Sequence, residues 1–119
     1  MSFSFETKNE LCRLPVQKLC CARAEAYGIL LYCNTFSASE VNPVLHINFG
    51  ILEEECCRAS FLRGVFFAGG SITDPLKRYH LELATSHMQV SRELEVLLRE
   101  CGYPPKSVAR SGGYVTYFK

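Results

Sequence analysis

The residues with the clearest chemical potential in this chain are its thiols. Seven cysteines, Cys12, Cys20, Cys21, Cys33, Cys56, Cys57 and Cys101, stand among 119 residues, beside three histidines, His46, His80 and His87. Thiolates and imidazoles are the ligands of zinc, and zinc sites are usually marked by spaced pairs such as C-x-x-C with a matching second pair. No such spacing occurs here. Cys20-Cys21 and Cys56-Cys57 are adjacent pairs, and adjacent residues on a helix point about 100° apart. The expectation is therefore core thiols, with no metal and no other cofactor. The histidines neither share metal spacing nor stand beside a nucleophile. Structural or exposed roles are expected of them, and no catalytic set is assigned.

The bulk properties restrict the function classes. A chain of this length with 48% hydrophobic residues is expected to form one compact domain. Thirteen basic and 12 acidic residues leave a formal net charge of +1, too little for a strong electrostatic footprint on nucleic acid or an anionic membrane. Any contact with DNA must use a local patch. An odd cysteine count, adjacent pairs and no apolar leader point to reduced thiols in the cytoplasm. No apolar run approaches the roughly 20 residues of a membrane span.

What positions these residues is an internal repeat. "CCARAEAYGILLYCNTFS" (Cys20 to Ser37) and "CCRASFLRGVFFAGGSIT" (Cys56 to Thr73) align two cysteines and one glycine, 20 with 56, 21 with 57 and 28 with 64, at an offset of 36 each time. An apolar triplet follows each glycine. Then comes a turn-prone ending, Cys33-Asn34 or Gly69-Gly70, so both segments read as helices closed by a residue that tolerates the left-handed conformation. In the second copy Ser60, Gly64 and Ala68 fall four apart and form a bare stripe; in the first, Ala24 and Gly28 begin the same stripe. A mid-helix glycine costs about 0.5 to 1 kcal/mol against alanine. Close contact between two helices is the expected reason to tolerate it.

Around the repeat, "ETKNELCRL" predicts a short helix before Pro15, and Val44 to Phe49 alternates enough to be extended. Past Gly70 the pattern predicts a short strand, a turn at Asp74-Pro75, and a strand from about Tyr79 to Thr85 with Tyr79, Leu81 and Leu83 on the core face. "SHMQVSRELEVLLRECGYPP" predicts the strongest helix, with Ser86 and Gln89 as a capping box, Val90, Leu94, Leu97, Leu98 and Cys101 on one side, and Gly102 as the stop. "KSVAR", "SGG" and "YVTYFK" predict a closing hairpin. The division is 1–40 for the N-terminal helix and first motif helix, 41–52 for an extended connector, and 53–119 for an αββαββ unit. The fold class is α+β, with helices packed on one face of an antiparallel sheet.

A helix of the form L-x-G-x-x-x-A-x-G, seen in "LRGVFFAGG" (Leu62 to Gly70), resembles the central helix of LAGLIDADG homing endonucleases. More closely, the stretch from Leu45 to Lys119, together with "AEAYGILLYCNTFS", resembles the WhiA family of bacterial sporulation and cell-division regulators. The resemblance covers almost the whole chain. It implies a LAGLIDADG-like domain that in WhiA proteins precedes a helix-turn-helix domain, absent here, and it implies a transcription regulator rather than a nuclease.

In the nucleases the acid before the final glycine of each motif holds a divalent metal. The matching positions are Cys33 and Gly69, so neither copy supplies a carboxylate there, and Asp74, a turn further on, reads as a turn former beside Pro75. The first repeat looks truncated: about 18 residues separate Phe36 from the second helix, too few for the family's first half-sheet, which is missing near Glu40 to Asn42. The apolar surface so exposed suggests a protein partner or a homodimer. In the nuclease relatives the sheet straddles DNA. That resemblance makes Lys77, Arg78, His80, Lys106, Arg110 and Lys119 candidates for phosphate contact, against a plain mixed-charge surface in which Glu82 shares a strand face with His80. The leading expectation is a cytoplasmic, nucleoid-associated domain of a DNA-binding regulator; an active LAGLIDADG endonuclease and a pure protein-interaction module are the alternatives.

Overall fold

The computed structural model describes residues 3–14, 18–33 and 47–119. Residues 41–46 of the expected connector 41–52, which include His46, and the junction at Glu40 to Asn42 lie outside the described residues. Helix α1 spans Phe3–Cys12, α2 Leu19–Tyr32 and α3 Glu55–Gly69; β1 spans Gly70–Ile72 and β2 Leu81–Thr85; α4 spans Met88–Glu100, β3 Lys106–Arg110 and β4 Gly113–Phe118. The four strands form one antiparallel sheet in the order β1-β2-β4-β3. From α3 onward the order is helix, strand, strand, helix, strand, strand, an α+β arrangement.

Alternation along the strands decides what the sheet turns toward the helices. Leu81, Leu83 and Thr85 of β2 pair with Phe118, Thr116 and Tyr114 of β4. Leu83 belongs to the buried core, and Leu81 and Phe118 pack against it. The Thr116 hydroxyl, fully buried, meets the Ser91 hydroxyl of α4 at 3.4 Å. Helix α4 buries Val90, Ser91, Leu94, Leu97 and Leu98, spaced as one face of a 3.6-residue period. Its end needs Gly102, whose φ of +91° is open to glycine at little steric cost; there Tyr103 N–H donates to Leu98 O at 2.8 Å. Helix α1 covers the sheet edge: the Ser4 hydroxyl donates to Ile72 O at 2.8 Å and accepts from Ile72 N–H at 2.7 Å, closing hydrogen bonds that β1 would otherwise leave open.

Four local expectations are corrected. Tyr79 does not join the core: β2 starts at Leu81, opposite Ile72 and Phe118, the last residues of its two neighbours, so nothing covers Tyr79, which is 77% exposed. Ser86 and Gln89 form no capping box. Helix α4 begins after His87, which makes no side-chain cap, and the His87 N–H donates instead to Thr85 Oγ1 at 3.2 Å. Phe49 is not extended, because the Asn48 side chain accepts from Gly50 N–H at 3.0 Å and winds Phe49–Ile51 into a single 3-10 turn. Neither motif helix ends in a left-handed residue, since Cys33 and Gly70 are both extended, with φ of −79° and −92°. Asp74 does form the turn, its carboxylate accepting from Leu76 N–H at 3.0 Å. No helix among the described residues is long and apolar enough to cross a membrane.

Candidate functional site

Helices α2 and α3 cross at their glycines. A Cβ placed on Gly28 would lie 2.3 Å from Phe61 O, and one placed on Gly64 would lie 2.0 Å from Glu25 O, so each bare position receives the other helix's backbone. Ala24 is fully buried at the same contact, while Ser60 and Ala68 are half-buried. Arg63 ties the pair from the side: its Nε lies 3.2 Å from Glu25 Oε2, its Nη2 donates to Leu14 O at 2.6 Å, and its guanidinium sits 5.3 Å from the Phe67 ring centroid.

The C-terminal ends of the two helices carry the positions that the nuclease resemblance reads as acids. A Cβ on Gly69 would lie 2.5 Å from Ala84 O and 2.8 Å from Tyr32 Cδ2. The close approach of β2 demands a glycine there and leaves no volume for a carboxylate. Cys33 turns its thiol back onto Leu30 O at 3.3 Å. Beside Gly69, Tyr32 is buried, and burial pushes its phenol well above the ordinary value, so it stays neutral.

The sheet face away from α3 and α4 gathers most of the cationic candidates. Glu82, Tyr117 and Lys106 lie side by side across β2, β4 and β3. His80 Nε2 lies 2.7 Å from Glu82 Oε1, and Arg110 grips both oxygens of Glu82, at 2.9 and 3.2 Å. The Arg110 guanidinium first, and His80 second, hold the Glu82 carboxyl below its ordinary range. The His80 ring stacks on Tyr117 with centroids 5.7 Å apart, and Lys119 Nζ sits 5.9 Å from the Tyr117 centroid. Lys77 and Arg78 are exposed in the turn between β1 and β2 and share none of these contacts. His87 lies apart from this face and is buried, its Nε2 without a hydrogen-bond partner.

Sequence reasoning missed a constellation at the opposite ends of the helix pair. Cys20 and Cys21 lie in the first turn of α2, and Cys56 and Cys57 in the first turn of α3. Their four sulfurs all lie within 4.8 Å of one another. The 100° divergence within each pair is real, yet the two helices are related by the repeat, so the pairs face each other across the contact. The signal was available: both pairs sit at the offset of 36 that also relates the glycines. Burial, first, and the neighbouring thiols push Cys57 up to about 12.

Comparison with known proteins fits this geometry. A family model, the WhiA LAGLIDADG-like domain, matches residues 58–119. A probable cell division protein WhiA of Ruminiclostridium cellulolyticum is 28% identical over a stretch of 188 residues that takes in all of this chain and 60% of that protein. Its counterpart in Leuconostoc citreum is 41% identical over 80% of this chain and 32% of that protein. Among solved structures, the N-terminal LAGLIDADG domain of WhiA superposes with a TM-score of 0.77 at 18% identity, over 99% of this chain and 86% of the solved one. Full-length WhiA from Thermatoga maritima gives 0.78 at 18% identity, over all of this chain and 57% of that one. These superpositions show the LAGLIDADG-like fold. The chain spans three fifths or less of the length of these two curated relatives. With the repeat, the glycine crossing and the αββαββ unit all in place, the chain belongs to the WhiA LAGLIDADG-like domain family.

Proposed function

We propose that this chain is a scaffold domain of a DNA-binding transcription regulator concerned with cell division, and that it contacts nucleic acid without cutting it. The observation that carries the reading is the sheet face away from α3 and α4, where the Tyr117 ring stacks on His80 and lies 5.9 Å from Lys119 Nζ, with Lys106 beside Tyr117 on β3 and Arg110 held on Glu82. Basic side chains beside an aromatic, on a face that no helix among the described residues covers, suit a phosphate backbone. Gly69 and Cys33 support the absence of cleavage, since phosphodiester hydrolysis by the nuclease route needs carboxylates to hold a divalent cation at those helix ends. That both relatives are named probable cell division proteins supports the biological setting. Sequence reading by a helix-turn-helix, regulation of sporulation genes and residence at the nucleoid belong to the same proposal. So does a missing first half-sheet, supported by the 188 residues over which the Ruminiclostridium relative matches 119 here.

Glu82 sets the strength of such contact. It already holds Arg110 and His80, so a phosphate must displace a carboxylate to reach them. Weak, salt-sensitive binding is expected. Fluorescence anisotropy of a labelled duplex, titrated at several salt concentrations without magnesium, should show an affinity that falls steeply with salt. Plasmid incubated with magnesium should stay intact. Absence of binding at low salt would move DNA recognition away from this domain and leave the sheet as a platform for protein; nicking that depends on magnesium would restore the nuclease reading.

A further inference from the structure

We infer that Cys20, Cys21, Cys56 and Cys57 form a tetrathiolate site for a single zinc ion that clasps the first turns of α2 and α3. The four ligand atoms come from equivalent positions of the two motif helices and lie within 4.8 Å of one another. With Zn–S bonds of about 2.3 Å, a tetrahedron has sulfur edges of about 3.8 Å. The sulfurs therefore need to close by about 1 Å at most, within the reach of χ1 adjustment of short side chains. The crossing at Gly28 and Gly64 fixes the separation of the helices, so the site is held from the backbone rather than by loops. A polynuclear iron–sulfur cluster divides its thiolates among several irons and spreads them wider than this cluster allows.

The surroundings suit a thiophilic cation. Cys21 and Cys57 are buried and Cys20 is exposed, so the site has a dry inner side and a path of entry. The thiols sit at the N-terminal ends of α2 and α3, where the positive ends of two helix dipoles partly offset the burial that raises Cys57. Cys56 now donates to Glu54 Oε2 at 3.4 Å, a bond given up when the thiol loses its proton to metal. Such a clasp would suit α2, whose main packing partner is α3. A structural metal offsets a small core in the way a crosslink does.

Cobalt is the probe. The whole chain, purified under reducing conditions and freed of metal, is titrated with Co2+ and then with Zn2+. The expected result is one Co2+ per chain, with the sulfur-to-metal charge-transfer and intense visible bands of a tetrahedral tetrathiolate, displaced stoichiometrically by Zn2+. Cys20→Ser, the exposed ligand and the variant least disturbing to the core, should lose the tetrathiolate spectrum and on the order of 100-fold in affinity. Cys12→Ser should keep both. A reduced wild-type chain that shows no such bands overturns the proposal, whether its thiols stay free or pair into disulfides in air. Bands that survive in Cys20→Ser or Cys57→Ser would also overturn it, by showing that the metal sits elsewhere.

Discussion

Replacing Gly64 with alanine tests the helix pair with a single methyl group. The added Cβ would lie 2.0 Å from Glu25 O, 2.9 Å from Glu25 C and 3.1 Å from Ile29 N, all backbone atoms of α2. A carbon and a carbonyl oxygen settle at about 3.3 Å, so the helices must part by about 1.3 Å, and no side-chain rotamer can relieve the clash. Parting them loosens the contacts of Ala24, Leu31, Phe61 and Val65, all buried there. Overpacking of this kind costs about 3 kcal/mol. Alanine returns about 1 kcal/mol through helix propensity. The net loss of about 2 kcal/mol lowers Tm by about 8 °C for a domain of this size. Gly28→Ala meets Phe61 O at 2.3 Å and should cost a similar amount, with the double variant less destabilised than the sum because either methyl opens the same interface. Thermal unfolding followed by circular dichroism checks this. An unchanged or raised Tm for Gly64→Ala would mean that propensity wins, and that the helices do not touch at the glycines in solution.

Glu82→Gln should act in two ways. Because the folded-state value of Glu82 is depressed by Arg110 and His80, its stabilisation is present above the unfolded carboxylate value of about 4.3 and is lost as pH falls through the lower folded value; the variant's stability should therefore change less between about pH 5 and pH 2 in denaturant titrations. The effect is small, since Arg110 is half exposed and screened by solvent. If the open sheet face meets phosphate, the same variant frees Arg110 and His80 and should bind duplex several-fold more tightly, with a steeper salt dependence. Equal affinity would remove that face from the contact. Helix α2 exposes Leu19 at 69% and Leu30 at 52%, and a second copy is the proposed cover, so light scattering should return twice the chain mass; a monomeric mass would remove the dimer.

Much of the fold was legible because its signals are local or repeat-based. Val90, Leu94, Leu97 and Leu98 mark the buried face of α4 by spacing alone, and Gly102 marks its end. Arg110, the turn with Gly112 at φ +84° and the alternation of β4 give the closing hairpin. The errors fall at element ends, where a single hydrogen bond decides. The Ser86 cap lost to Thr85, and the extended run through Phe49 lost to Asn48, because the competing bonds differ by only one or two residues. Tyr79 fits the strand pattern, but burial depends on which neighbours extend that far, and none does.

Residue identity at fixed offsets is enough to mark the twofold repeat, the bare stripe of each motif helix and the lack of a carboxylate at Cys33 and Gly69. The tertiary structure alone decided what those identities meet. Gly69 is bare because the carbonyl of Ala84 lies against it, and Arg110 is neutralised by Glu82 from a strand that is not its neighbour in the sheet. Four thiols converge because the repeat folds its two copies face to face. Periodicity fixes the direction of a side chain on its own helix, whereas the distance between two helices is set by packing.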